Sequence, residues 1–462
     1  MTGFNVVIKL LLVVIQLFVS DAFTALKPAP FRMATSLHAG TWLPVGSIIE
    51  LGTDFPKGVE VCGSKFVVWK NGDGFHVSPD VCSHRQAPLS EGRVDPSSGC
   101  LECPYHGIQF NGVGECSKIP QLEAGAAIPK AANIASYPVR STGDMLWAQI
   151  PLAAGADFPG LPEDFIPALV NCTSFTTRDL PYSFDYVLEN FMDPAHIPFA
   201  HHSMQGVRSD GSPIPMSVFN YSDNAIVEVA YGDRIRNKSR QGIVSFQPPV
   251  YYHFRVKTPA FFRVMLIILC LPLRPGWSRI HLSLSPGVNL PLPKWILHAL
   301  SNKFLDTDLW VHDQERFGRG FTNTLLTLKP KSAGVSSYVM PTSSDLGVKS
   351  FRRFYDAFLK SHPIFGEKDA AQIPPITLAS KLDRWENHAR HCSACQGALR
   401  NAQLVQRVNP FVALSVIALA KLPLVRLGYV AVAAVVEFVC RWVVRGVLGP
   451  GRGAVVSASR IP

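Results

Sequence analysis

The sequence predicts an α+β protein: a small all-β domain, an antiparallel sheet clasping helices, and a C-terminal hairpin of apolar segments. Three observations carry this reading. Residues 42–150 break into short strand-like runs separated by Gly, Pro, Asn and Asp. Residues 160–365 mix longer strand-like runs with two segments of helical spacing. Residues 410–447 hold two apolar runs. The chain has 462 residues, room for two or three domains, and its 47% hydrophobic and 17% charged residues exclude disorder and a coiled coil.

Along the chain, residues 1–40 read as a presequence. Lys9 precedes an apolar run, Leu10 to Val19, of signal-peptide length, and Ala22 to Ile49 carries no acid. With Ala22-Phe23 at the join, this resembles the bipartite plastid presequence of algae with secondary plastids. Residues 41–150 form the all-β domain, with strands expected at Ser47–Leu51, Lys65–Trp69, Gly74–Val77, Ile108–Phe110 and Asp144–Gln149. Residues 151–375 form the second domain, with strands expected at Ala225–Tyr231, Tyr251–Lys257, Phe262–Leu271 and Ser278–Ser285. The apolar stretch Val264–Leu271 is too short to cross a bilayer and is expected to be a buried strand. Residues 376–407 make a linker containing Cys392-x-x-Cys395. Residues 408–448 are expected to form short tilted membrane spans packed as a hairpin, or an interfacial anchor, because charges and Pro423 interrupt both runs. Residues 449–462 read as a disordered tail.

The net charge of +10 is not spread evenly: residues 22–49 carry +2 and residues 396–462 carry +7, leaving +1 for residues 50–395. The folded body therefore lacks the basic face of a nucleic-acid binder. The basic C-terminal segments suit an anionic membrane surface.

Ten cysteines in this length are too sparse for a disulfide scaffold, and their spacing is the informative feature. Cys82-Ser-His84-Arg85 and Cys103-Pro-Tyr-His106-Gly107 give C-x-H, eighteen residues, then C-x-x-H. Two thiolates and two imidazoles could bind zinc. Each pair lies in a Gly/Pro-flanked loop between strand-like stretches, however, and two such loops can face each other around a [2Fe–2S] cluster. Cys82 and Cys103 would hold one iron, and His84 and His106 the other, in the Rieske arrangement. Gly107 would let the backbone approach the sulfides. The electron-carrier form, C-T-H-x-x-C … C-x-C-H, has two further clamping cysteines. Gln86, Ala87 and Tyr105 stand here instead, and the Cys-x-His-Arg form resembles Rieske oxygenases.

An oxygenase needs a second iron. Asp193-Pro-Ala-His196-Ile-Pro-Phe-Ala-His201-His202 reads D-x-x-H-x-x-x-x-H, and two histidines at this spacing can converge on one metal. With one carboxylate they complete the 2-His-1-carboxylate triad of non-heme iron. Spacing favours His201 over His202. Asp193 could accept the proton of the second ring nitrogen of His196, or could cap the helix. The carboxylate ligand should come from the helical segment Trp295–Glu315, which offers Asp306, Asp308 and Asp313.

These motifs, together with Arg384-Trp385-x-x-His388-x-x-His391-Cys392-x-x-Cys395, resemble the plastid Rieske family of pheophorbide a oxygenase and the translocon-associated and protochlorophyllide-linked Rieske proteins. Chlorophyllide a oxygenase is more distant. The resemblance implies Asp308 as the third ligand of a mononuclear Fe(2+), and Asp193 as an electron bridge to a cluster histidine of a neighbouring subunit in a homo-oligomer, a trimer. It implies ferredoxin as donor, O₂ as co-substrate, a pheophorbide- or chlorophyllide-like tetrapyrrole as substrate, and a plastid envelope or thylakoid membrane as location. It also implies a redox-regulatory Cys392/Cys395 pair served by thioredoxin. A second metal site using His388 and His391 is conceivable. The alternative functions are a redox-sensing or electron-transfer subunit of an envelope import complex, and a zinc-stabilised membrane scaffold.

Overall fold

The computed structural model describes residues 40–52, 55–151, 165–172, 174–222, 225–257, 262–284, 292–318, 338–361, 375–419 and 423–448. Apart from Gly40, the presequence and the C-terminal tail lie outside the described residues.

The N-terminal domain is all-β, as the turn-rich sequence predicts. Strand β1 (Thr41–Ser47) forms a three-stranded sheet with β10 (Met145–Ile150) and β9 (Val139–Thr142). A meander of β2 (Lys57–Val61), β3 (Ser64–Asn71) and β4 (Gly74–Pro79) forms a second sheet. Four very short strands, β5 (Arg93–Val94), β6 (Leu101–Glu102), β7 (Gln109–Phe110) and β8 (Cys116–Lys118), form the third. Trp69, Leu101 and Phe110 pack beneath the third sheet with Cys82 and Cys103.

The strand expected at Ser47–Leu51 is displaced. It ends at Ser47, and Ile48–Leu51 forms one helical turn. Ser47 Oγ accepts from the Glu50 amide at 3.3 Å, and Asp144 Oδ1 accepts from the Ile49 amide at 3.0 Å. These caps override the strand preference of Ile48-Ile49.

The second domain is a seven-stranded antiparallel sheet in the order β11 (Thr176–Leu180), β17 (Trp277–Leu284), β16 (Phe262–Arg274), β15 (Tyr251–Lys257), β14 (Lys238–Gln247), β13 (Ile226–Ile235), β12 (Met216–Ser222). Strand β16 explains the uninterrupted apolar run. Ile268 and Cys270 face the core of the second domain, while Ile267, Leu269 and Leu271 pack into the core that holds Leu43 and Trp147 of the first domain. Side chains alternate along a strand, so a strand buried on both faces reads as continuously apolar. Helices α1 (Phe184–Phe191) and α2 (Ile197–Ala200) lie between β11 and β12, and α3 (Lys294–Leu305), α4 (Val311–Gly318) and α5 (Leu346–Ser361) follow β17. Arg352 of α5 ties down α1 by ion pairs to Asp185, at 2.6 Å, and to Glu189.

The C-terminal hairpin exists, but not as the membrane hairpin expected. Helix α6 (Ser393–Leu419) begins within the C-x-x-C and runs through the boundary expected between linker and apolar segment, and α7 (Pro423–Leu448) returns along it. Gln406 donates to Glu437 at 3.2 Å, and Asn409 donates to the Ala433 carbonyl at 3.0 Å. Among the described residues no helix is long and apolar enough to cross a membrane. The first half of α6 carries Gln396, Arg400, Asn401, Gln403 and Gln406, Pro410 lies past the middle of the helix, and Glu437, Arg441 and Arg445 interrupt α7.

Candidate metal centres

The two Cys-His loops have matching backbones. The Cys82 amide donates to the Ala87 carbonyl at 2.9 Å and the Gln86 amide to the Cys82 carbonyl at 2.9 Å. In the second loop Cys103 donates to Ile108 at 2.8 Å and Gly107 to Cys103 at 3.1 Å. In each loop the fourth residue after the cysteine is left-handed: Gln86 at φ 60° and Gly107 at φ 71°. Gly107 is thus needed for the turn itself, a firmer reason than the close approach expected from sequence.

This pairing places both thiols inside and both imidazoles outside. Cys82 and Cys103 are 1% and 3% exposed, His84 is exposed and His106 partly so, with the two rings 4.7 Å apart. Burial pushes the Cys82 thiol up to about 11, with Cys103 beside it. A metal centre resolves this by taking the thiolates. Two buried sulfurs facing two solvent-side nitrogens fit a Rieske cluster. Arg85 stacks over Tyr105 at 5.6 Å, bridging the loop tips.

In the second domain, His196 ends the 3-10 turn Pro194–His196 and His201 follows α2. Asp308 lies in the 3-10 turn Asp306–Asp308 that follows α3. Their ligand atoms meet: His196 Nε2 is 3.3 Å from His201 Nε2, and His201 Nε2 is 3.3 Å from Asp308 Oδ2.

The hydrogen-bond network fixes both tautomers. Thr307 donates its hydroxyl proton to the Phe304 carbonyl at 2.6 Å, so its oxygen accepts from His201 Nδ1–H at 2.7 Å. His196 Nδ1–H donates to the main-chain carbonyl of Asp193. Both Nε2 lone pairs therefore face the site. Burial and the neighbouring His196 depress His201 to about 3, and burial raises Asp308 to about 6. Asp308 Oδ1 is buried with no hydrogen-bond partner among the described residues. Two neutral imidazoles and a buried carboxylate with an unused oxygen fit a divalent iron.

The rejected candidates have other partners. His202 Nδ1 accepts from the Arg208 amide at 3.2 Å. Asp306 pairs with Arg178 at 2.9 Å and with Arg384 at 2.6 Å, and Asp313 pairs with Lys381 at 2.8 Å. Asp193 differs from one expectation. Its carboxylate caps the turn by accepting from the Ala195 amide at 2.8 Å and lies 3.9 Å from His196 Nδ1, too far for a hydrogen bond. The residue orients His196 through its backbone. Thr307 and Phe304, whose ring stacks on His201 at 3.7 Å, were not foreseen, although Thr307 adjoins Asp308.

Cys392 and Cys395 are each 1% exposed and have His388 and His298 beside them. His391 is elsewhere, its Nε2 accepting from Arg390 at 2.7 Å.

Comparison with known proteins agrees with this geometry. A Rieske [2Fe-2S] domain model matches residues 41–138, and a pheophorbide a oxygenase model matches residues 246–319. Chloroplast pheophorbide a oxygenase of Oryza sativa is 32% identical over 79% of this chain and 74% of its own length. The chain belongs to the pheophorbide a oxygenase family. It is therefore a Rieske non-heme iron oxygenase, a class whose cofactors are a [2Fe–2S] cluster and a mononuclear iron. Within this family its relatives are chloroplast proteins of differing substrate. Flavonoid 8-hydroxylase 2 of Ocimum basilicum is 29% identical over 87% of this chain and 82% of its own length. The fold is that of dicamba monooxygenase, which aligns over 70% of this chain and 98% of its own at a TM-score of 0.53 and 16% identity.

Proposed function

We propose that this oxygenase acts in the plastid on a chlorophyll-type tetrapyrrole, pheophorbide- or chlorophyllide-like, with reduced ferredoxin as electron donor. The observation that carries an oxygenase activity is the convergence of His196, His201 and Asp308 in the same chain as the paired Cys-His loops. When bound, the cluster relays single electrons and the iron activates O₂, so that two electrons and two protons accompany one oxygen atom into substrate and the other into water.

The chain's own residues supply the rest. Cys82, His84, Cys103 and His106 hold the cluster with its histidine side outward, toward a donor protein. Thr307 and the Asp193 carbonyl keep both ligand imidazoles in the binding tautomer. Phe304 shields His201 from water. The partly exposed Asp193 carboxylate is suited to meet a cluster histidine of a neighbouring subunit, in a trimer. The C-terminal hairpin would lie on an envelope or thylakoid surface, keeping the enzyme near a lipophilic substrate. Phe411, Leu414, Val435 and Phe438 are exposed along it, close to Arg407, Arg441 and Arg445.

The test is substrate-dependent O₂ uptake by purified protein with ferredoxin and pheophorbide a or chlorophyllide a. His196→Ala should abolish uptake while the Rieske absorption and EPR signals persist. Uptake that survives in this variant would overturn the iron assignment. A wild-type protein that cycles electrons but oxygenates no tetrapyrrole would overturn the substrate reading and favour a redox-sensing subunit.

A further inference from the structure

The C-x-x-C lies in a buried cluster that neither iron site uses. His388 Nε2 is 3.2 Å from Cys395 Sγ, and His298 Nδ1 is 3.4 Å from Cys392 Sγ and 3.6 Å from Cys395 Sγ. All four ligand atoms lie within 4.8 Å of one another, and no residue of the four is more than 2% exposed. Zinc bonds of about 2.3 Å to sulfur and about 2.0–2.1 Å to nitrogen, at tetrahedral angles, separate S and N by roughly 3.6 Å. The observed separations are close to that value.

We propose that His298, His388, Cys392 and Cys395 form a structural Cys₂His₂ zinc site. His388 is oriented as a metal-bound histidine is: Nδ1–H donates to the Thr177 carbonyl, leaving the Nε2 lone pair directed at the cluster. His388, Cys392 and Cys395 are spaced H-x-x-x-C-x-x-C around the start of α6, and C-x-x-C is a spacing usual for zinc. Binding exchanges the two thiol protons for one Zn²⁺, giving a neutral site, so two protons are released and no electrons move. Both thiols are 1% exposed, so the pair as folded does not present the accessible sulfur that disulfide exchange with thioredoxin requires.

The site joins three pieces of chain. His298 lies on α3, the helix that leads to Phe304, Thr307 and Asp308. His388 rests on β11. Cys392 and Cys395 begin the C-terminal hairpin. Zinc would fasten that hairpin to the helix that positions the iron's carboxylate.

The experiment is metal analysis of the full-length holoprotein together with zinc X-ray absorption. The expected result is about one zinc per chain beside about three irons, with two sulfur and two nitrogen neighbours. Cys392→Ser/Cys395→Ser should lose the zinc while keeping the Rieske EPR signal, and His298→Cys, which preserves four ligands, should retain it. If the double variant does not fold, His298→Ala gives the same readout, as loss of zinc or faster release to a chelator. A zinc-free wild type whose two thiols alkylate freely, or which carries a Cys392–Cys395 disulfide reducible by thioredoxin, overturns the proposal.

Discussion

His201 Nε2 and Asp308 Oδ2 lie 3.3 Å apart, although one residue follows a short helix after β11 and the other follows the helix after β17. Strands β11 and β17 are adjacent, in register from Thr176 opposite Leu282 to Leu180 opposite Ser278. The sheet therefore brings together the chain segments that carry the histidines and the carboxylate. Thr307 couples them further, because it precedes Asp308 and accepts from the other nitrogen of His201.

Removing that acceptor should loosen the iron without removing a ligand. Thr307→Val frees the His201 tautomer, and iron affinity is expected to fall roughly 10–100-fold, as for other residues that orient metal-binding histidines. Iron release to a chelator, followed beside an unchanged Rieske spectrum, measures it. Unchanged release would show that Phe304 stacking alone orients the ring.

The Cys-His loops should respond oppositely to two substitutions. Gly107→Val places a β-branched side chain at φ 71°, with its Cβ 3.2 Å from Pro120 Cγ, at a cost of at least about 1–2 kcal/mol. Gln86→Gly removes a left-handed non-glycine residue at φ 60°. Cluster content after thermal challenge should fall in the first variant and hold or rise in the second.

Asp306 is predicted to matter for stability and not for iron binding. Its partner Arg178 is fully buried, and Asp306→Asn would leave that guanidinium without its nearest charge. Breaking a buried pair costs about 3–5 kcal/mol. Denaturant unfolding should shift by that order while the iron complement of the folded protein is retained.

Acid stability should carry the mark of His281. Burial and Arg279 depress this imidazole to about 3, against about 6.5 in an unfolded chain. Between those values the unfolded state binds the extra proton, so stability is full above about pH 6.5 and is lost as pH falls toward 3. His281→Gln should flatten the stability curve by up to about 1.4 kcal/mol per pH unit in that window. Equal slopes in the two proteins would assign the acid transition to other groups.

The hairpin's surface association is testable with liposomes. Phe411→Ser/Phe438→Ser removes two aromatic side chains, each 71% exposed, and should reduce co-sedimentation with anionic vesicles by tenfold or more at about 1.5–3 kcal/mol per buried side chain. High salt should reduce it further. Binding unaffected by either would assign these faces to a protein contact.

Local spacing was sufficient to point to candidate ligands that are neighbours in the chain. Cys82/His84, Cys103/His106 and His196/His201 could be read from sequence because each pair shares one loop or turn, where the backbone limits how far two side chains can diverge. The all-β and α+β division was legible for the same reason, since turn residues and periodicity act over a few positions. Spacing left Asp306, Asp308 and Asp313 open and only the resemblance pointed to Asp308; tertiary structure separates them physically, because two meet cations and Asp308 meets His201. It alone brought His298 beside Cys392, since sheet and helix packing set that contact across distant segments. It also showed why β16 is apolar from Val264 to Leu271. Two domains cover its two faces, so the strand whose length already excluded a membrane span is apolar on both sides.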